Sequence, residues 1–403
     1  MRKKKETKWR HLFIVNIARL FLAKFMRRSY NYESKRHREL KRQGPFLILG
    51  NHTVAIDPLL MSLSFPFHIY YIATEQIFNL GFLSKLLKFA VNPIKKSKSV
   101  NDIVAIRKAR KIVSEGGSIG VYPEGNLTYD GQTSQFGISV IKLIRLLKIP
   151  VIFFVTEGLY LSNPRWAVNK KRGRSKGYLK SILEPEDYNK LNDEQLYQHV
   201  YNELYVNAYQ QDPKIPFKGQ DLALGLERLI FIDLLTDEPF QNYTVGDMLY
   251  SRSSEFSLKY LEDGYLLDQN NNKLTLIELN ERVIKSFFAY YKKTQQMDFT
   301  TSIFLERTIK NKKKKYGKAT LTLKKDSFLV KKKTNSVLTM NFADIGSIAI
   351  QGKKKLIVYH KDDTWLFVLD QNISPYAYFL TYQFYKKGEL LDEQNLSVSD
   401  FGL

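Results

Sequence analysis

The stretch from Pro45 to Thr156 most constrains what this chain can fold into. Along it, short apolar runs alternate with helix-forming segments, with few residues between them. "PFLILG" is an apolar run closed by glycine, the pattern of a buried strand. "DPLLMSLSF" opens with Asp57 and Pro58, which suit the start of a helix. "FHIYYIA" reads as a strand and "LGFLSKLLKFAV" as a short helix. Asn101 to Gly117 reads as a helix ending in glycines, "SIGVY" as a strand, "GISVIKLIRLLK" as a helix and "IPVIFFVT" as a strand. This order predicts an α/β domain with a mostly parallel sheet flanked by helices. Ligands bind such sheets at the carboxyl ends of the strands. The loop with His52 and the loop with Glu124 each follow a strand, so both are predicted on the functional edge.

Beyond about residue 215 the pattern changes. "FKGQDLALGLERLIFID" reads as helical, residues 236 to 275 as turn-rich with weak strands, and "LIELNERVIKSFFAYYKK" as a helix. From about 316 the apolar period becomes two, in "ATLTLKKDSFLV", "SVLTMNFADIGSIAI" and "KLIVYHKDDTWLFVL". A last helix, "SPYAYFLTYQFYKKGE", follows. The expectation is a smaller C-terminal β-barrel or sandwich plus a helix, similar in pattern to a pleckstrin-homology domain. The expected division is 1–30, a basic apolar helix; 35–215, the α/β domain; 216–300, a helical and turn-rich connector; 301–390, the β module; and 391–403, a tail.

The 403 residues suffice for two or three domains with their own cores. The absence of cysteine excludes disulfides, thiol nucleophiles and cysteine-based zinc sites. A net charge of +23 implies an anionic partner. No nucleic-acid recognition motif accompanies that charge, so an anionic membrane surface is the expected partner. The longest N-terminal apolar block, Leu12 to Phe25, has 14 residues and contains Asn16, Arg19 and Lys24. A membrane span needs about 20 mostly apolar residues, and Arg19 lies where a signal peptide would be apolar. Basic residues on both sides of the block suit a segment lying in the membrane interface. The other reading is a helix packed on the α/β domain.

His52 and Asp57 stand with four residues between them in "NHTVAID". Read locally, Asp57 is a helix cap and His52 a loop histidine bonded to backbone. Read chemically, they are a general base and its orienting carboxylate. The segment resembles the His-x4-Asp signature of the glycerolipid acyltransferases, in particular the 1-acylglycerol-3-phosphate acyltransferases. Three further blocks resemble that family in its order: "NPIKKSKSVND", "YPEGN" and "KIPVIFFV". The resemblance covers roughly residues 35 to 215.

The resemblance implies an O-acyltransferase in which His52 and Asp57 are catalytic. It implies acceptor binding by Lys96 and Lys98 and by Pro123, Glu124, Gly125 and Asn126. It implies no cofactor and no metal. The co-substrate would be an acyl-CoA or acyl carrier protein thioester, the acceptor a lysophospholipid, and the location the cytoplasmic face of the cell membrane. Two departures bear on the acceptor. Lys96 stands where the family has Arg, and Leu127 where it has Arg again. They leave open another lipid acceptor, or a non-catalytic lipid-binding protein on the same scaffold. "GGSIG", Gly116 to Gly120, fits the nucleophile-elbow spacing, but a helix precedes it and a strand follows, the reverse of that motif.

Overall fold

Leu47, Ile48 and Leu49 are fully buried. A strand reaches that state only when both faces of its sheet are covered, as in parallel α/β sheets. The computed structural model describes residues 5–74, 82–96, 103–210, 215–309, 312–361 and 363–388, so Lys98 and the tail from 391 lie outside the described residues. The chain divides into two units, Met1–Ser162 with Arg172–Ile215, and Asn163–Lys171 with Pro216–Leu403.

The first unit contains, in order, α1 (Trp9–Tyr30), β1 (Tyr32–Ser34), β2 (Leu47–Gly50), α2 (Asp57–Ser64), β3 (Ile69–Thr74), α3 (Phe82–Ala90), β4 (Ile94–Lys96) and α4 (Ile103–Ser114). There follow β5 (Ser118–Val121), α5 (Ser139–Leu147), β6 (Val151–Glu157), α6 (Leu159–Ser162), β7 (Ser175–Leu183), α7 (Pro185–Tyr188) and α8 (Asp193–Leu204). The seven strands lie in the order β1-β7-β6-β2-β5-β3-β4. Only the β6–β7 pair is antiparallel. The period of two sorts the strand side chains. Leu47, Leu49, Val151 and Phe153 join the residues of α4, α5 and α8 on one face. Ile48, Ile152 and Phe154 join Met61 of α2 and Phe65, which follows it, on the other. Each large apolar side chain so buried is worth about 1.5–3 kcal/mol. Ser118 starts β5 and accepts the Phe46 N–H at 3.1 Å, a strand-entry role that leaves no nucleophile elbow.

α1 has two faces. His11, Arg19, Met26 and Tyr30 are buried. The Arg19 guanidinium donates to the Ser62 carbonyl at 2.9 Å and the Phe67 carbonyl at 2.8 Å. Met26 and Tyr30 pack with Val54 and Leu60. Trp9, Phe13, Ile17, Leu20, Phe21 and Phe25 stay exposed. Among the described residues no helix is long and apolar enough to cross a membrane.

The second unit corrects the reading of residues 217 to 233 as helical. They form turns and one short 3-10 segment, with Gly225 at φ 96°. Leu226, Leu229, Ile230, Phe231 and Ile232 are all buried, so this is a run enclosed on every side rather than an amphipathic stripe. The weak strands expected after it form an antiparallel sheet of β8 (Asn242–Val245), β9 (Met248–Ser251), β10 (Ser257–Tyr260), β11 (Leu266–Asp268) and β12 (Lys273–Leu274). α9 (Leu276–Lys293) starts on a capping box between Thr275 and Glu278. The β module comprises β13 (Phe299–Ile309), β14 (Lys312–Leu323), β15 (Ser327–Lys332), β16 (Val337–Asn341), β17 (Ile345–Gln351), β18 (Lys355–His360) and β19 (Asp363–Leu369). It is antiparallel, ordered β16-β15-β14-β13-β19-β18-β17, and α10 (Pro375–Lys387) follows. Residues 163–171 are anchored within this unit. Arg165 donates to the Ile350 carbonyl at 2.6 Å, and Arg228 to the Trp166 carbonyl at 2.9 Å.

Candidate active site

β2 pairs with β5 on one side and β6 on the other. The loops that leave β2 and β5 therefore emerge side by side. Gly50 closes β2 where space is tight: a Cβ there would lie 2.5 Å from Met61 Cε and 3.0 Å from Tyr122 Cε1. Asn51 then clamps the loop to β6. Its amide donates to the Thr156 carbonyl at 3.0 Å, and its Oδ1 accepts the Thr156 N–H at 2.8 Å.

His52 is fixed from four directions. Its N–H donates to Glu124 Oε1 at 2.6 Å, and its carbonyl accepts the Thr128 N–H at 3.1 Å. The imidazole stacks on Tyr122, with centroids 4.5 Å apart and planes 26° from parallel. Nδ1 lies 2.9 Å from Asp57 Oδ2. An ionised carboxylate only accepts, so that contact makes Nδ1 the protonated nitrogen and leaves the Nε2 lone pair available. The His52 side chain keeps 19% of its surface, while Asp57 has none.

The cap reading of Asp57 is corrected. Asp57 is the first residue of α2, and Ile56 occupies the cap position with no side-chain cap bond. Its carboxylate turns back instead, and Oδ2 accepts the N–H groups of Thr53 at 2.6 Å and Val54 at 2.9 Å. The physical reason is that two loop N–H groups and the imidazole converge on one oxygen, a better partner set than the first helical turn offers. A fully buried carboxylate needs such a set.

Glu124 is buried and bridges two segments. Besides the His52 N–H, it accepts the Ser134 N–H through Oε2 at 2.9 Å. Burial pushes its carboxyl up to about 8, against the two backbone N–H groups that pull it down. Gly125 has φ 69° and forms the turn that closes on the Tyr122 carbonyl at 3.1 Å, a conformation open to glycine. Pro123 and Asn126 are half-buried in the same loop. Lys96 ends β4, opposite Thr74 of β3. It lies on the same sheet edge, three strand spacings or roughly 14 Å from β2. Thus His52, Asp57 and Glu124 meet directly, Pro123, Gly125 and Asn126 flank them, and Lys96 stands apart. Asn51 and Tyr122 went unassigned in the sequence. Asn51 was signalled only by being a polar residue at the end of an apolar run. Among the described residues no group of three His, Asp or Glu could hold a metal ion.

An imidazole held by a buried carboxylate at the carboxyl edge of a mostly parallel sheet is an arrangement that can accept a proton from a bound hydroxyl. Residues 31–156 match the family model described as Acyltransferase. A 1-acyl-sn-glycerol-3-phosphate acyltransferase of Borreliella burgdorferi is 29% identical over 123 residues, which cover 29% of this chain and 48% of that protein. The chain thus matches about half the length of that relative. The crystal structure of a 1-acyl-sn-glycerophosphate acyltransferase from Thermotoga maritima superposes with a TM-score of 0.38 at 16% identity, over 48% of this chain and 75% of that one. Residues 31–156 of the α/β domain are thus similar to acyltransferases.

Proposed function

We propose that the protein is a membrane-associated O-acyltransferase. It would move a fatty acyl group from an acyl-CoA or acyl carrier protein thioester to the hydroxyl of a lysophospholipid, with 1-acylglycerol-3-phosphate the first acceptor to test. The observation that carries this reading is the 2.9 Å contact between His52 Nδ1 and the buried Asp57, inside a segment that matches the Acyltransferase family model. In the proposed reaction Nε2 takes the acceptor hydroxyl proton as the oxygen attacks the thioester carbonyl. Asp57 stabilises the imidazolium that forms. The tetrahedral adduct collapses with cleavage of the C–S bond, and the imidazolium returns the proton to the departing thiolate. No acyl-enzyme and no cofactor are needed. The test is lipid product formation by the purified protein with a panel of lysolipids and both donor types. If no pairing gives product, the enzyme reading fails and the scaffold is a lipid binder.

Lys96 and Lys98 are proposed to hold the acceptor phosphate. Lys96→Ala is expected to raise the KM for a phosphorylated acceptor about tenfold or more, the scale of a lost charged contact. The KM for the donor should stay within about twofold, which in free energy is well under the cost of a lost hydrogen bond. An unchanged acceptor KM would refute the assignment. The apolar Leu127, at a place where the family has Arg, favours a second acceptor class, an uncharged lysolipid.

Long-chain lysolipids live in the bilayer, so the site must face one. The proposed attachment is the exposed row of α1 at the cytoplasmic face, with Leu86 and Phe89 of α3 also exposed and Arg27 and Arg28 ending the helix. Removing all of α1 would strip Arg19 from two carbonyls and unfold the site, so point changes are the cleaner test. Phe13→Ser with Leu20→Ser and Phe21→Ser is expected to weaken binding to anionic vesicles about tenfold or more. Activity on a dispersed short-chain acceptor should remain. Undiminished vesicle binding would sink the interfacial role of α1.

A further inference from the structure

A histidine ring turns about χ2 in a broad, two-fold well, so its own torsions do not set its plane. The bond to Asp57 fixes one atom, Nδ1, and leaves the ring free to tilt about that bond. A second contact is needed, and a row of aromatic rings supplies it. The His52 imidazole, the Tyr122 ring and the Tyr71 ring follow one another, with centroids 4.5 Å and then 6.2 Å apart and planes 26° and then 14° from parallel. Both separations lie within the range at which aromatic rings attract.

The backbone makes room for this row. Tyr122 follows β5 directly, and Tyr71 of β3 stands across from Gly120 of β5. A Cβ on Gly120 would lie 2.6 Å from the Tyr71 ring, as one on Gly50 would lie 3.0 Å from the Tyr122 ring. Neither glycine has a positive φ, so what each supplies is space for a ring. The far end of the row returns to α2. Tyr71 OH lies 2.9 Å from Ser62 Oγ, and Ser62 Oγ donates to the Pro58 carbonyl at 2.8 Å, so the tyrosine donates to the serine. The Ser62 carbonyl in turn accepts from Arg19 of α1 at 2.9 Å. Asp57 begins the same helix α2. The imidazole is therefore held at its edge by one residue of α2 and on its face by a stack tied to another.

We propose that Tyr122 is a positioning residue of this site: its ring face, backed by Tyr71, sets the plane of the His52 imidazole, so that Nδ1 stays on Asp57 and Nε2 stays free for the acceptor hydroxyl. The role rests on the proposed acyl transfer, in which Nε2 takes the acceptor proton. A base whose plane drifts meets that hydroxyl in the wrong direction for much of the time, and the loss falls on turnover rather than on binding. The competing account is that Tyr122 only fills space beside Met61, whose Sδ lies 4.0 Å from its hydroxyl.

The chain has six histidines, so the His52 Nδ1–H resonance is assignable in the full-length, histidine-labelled protein by comparison with His52→Ala. Bonded to a buried carboxylate, it is expected as a sharp downfield line. Tyr122→Leu and Tyr122→Met keep apolar bulk beside Met61 but remove the flat face, and whichever of them folds serves as the test. Each should broaden the Nδ1–H line and lower turnover about tenfold or more, with acceptor and donor KM within about twofold. Tyr122→Phe keeps the face and should restore both the line and the rate. Tyr71→Phe keeps the row but cuts the tie to Ser62, and a partial broadening is expected; an unchanged line there would remove α2 from the role. The resonance needs no substrate, so it decides the role of Tyr122 even where the parent protein shows no acyl transfer. A sharp, unmoved Nδ1–H line in a folded Leu or Met variant would overturn the proposal, because Tyr122 would then only fill space. So would an equal loss in Tyr122→Phe, because the hydroxyl and not the ring face would then be what matters.

Discussion

His52→Ala is expected to lower turnover by about 10²–10⁴, the range for loss of a general base. The fold should persist, because the loop does not depend on the imidazole. Asn51 still holds Thr156, the residue 52 N–H still reaches Glu124, and its carbonyl still meets Thr128. Asp57 keeps the Thr53 and Val54 N–H groups, so its charge is not stranded. What disappears is the stack on Tyr122 and one charge-assisted bond, together about 2–4.5 kcal/mol of stability. Initial rates of acyl transfer, measured beside circular dichroism and a melting curve, check both halves. A folded variant with near-normal turnover would remove His52 from the mechanism.

The scaffold around His52 was legible in the sequence because its signals are local. Strands of both-face apolar residues, short connections and the Asp57-Pro58 start are all set within a few residues, and the elements formed where they pointed. Other features depend on register and were not legible. Tyr122 lies on His52 only because β2 pairs with β5, which no short window encodes. The backward turn of the Asp57 carboxylate depends on the loop geometry at Thr53 and Val54 rather than on the helix it begins. The segment from 217 to 233 misled for another reason. Its apolar residues are continuous, and a continuous apolar run does not say whether it is helix or enclosed turn. Gly225 at φ 96° was the breaker that a helical reading passed over. Residues 163–171 were grouped by continuity with the α/β domain, while Arg165 and Trp166 bond to residues more than 50 positions further on.

Asp57→Asn separates the two jobs of the carboxylate. The amide is close to the carboxylate in size, and its Oδ1 can still accept from Thr53 and Val54, so the loop and α2 should stay in place. A neutral amide oxygen attracts the imidazolium far less than a carboxylate does. The same oxygen also faces Nδ1, so the tautomer is kept and what is lost is the negative charge that stabilises the imidazolium. Turnover is therefore expected to fall by about 10²–10⁴, while acceptor and donor KM values change little. A melting temperature within a few degrees of the parent would go with it, since about 1 kcal/mol shifts a domain of this size by roughly 2–4 °C. The alternative is that Asp57 acts only as an anchor for the loop. That account expects near-parent turnover in Asp57→Asn, because the amide oxygen keeps the anchoring bonds. Rates normalised to folded protein, set beside the melting curve, decide between the two.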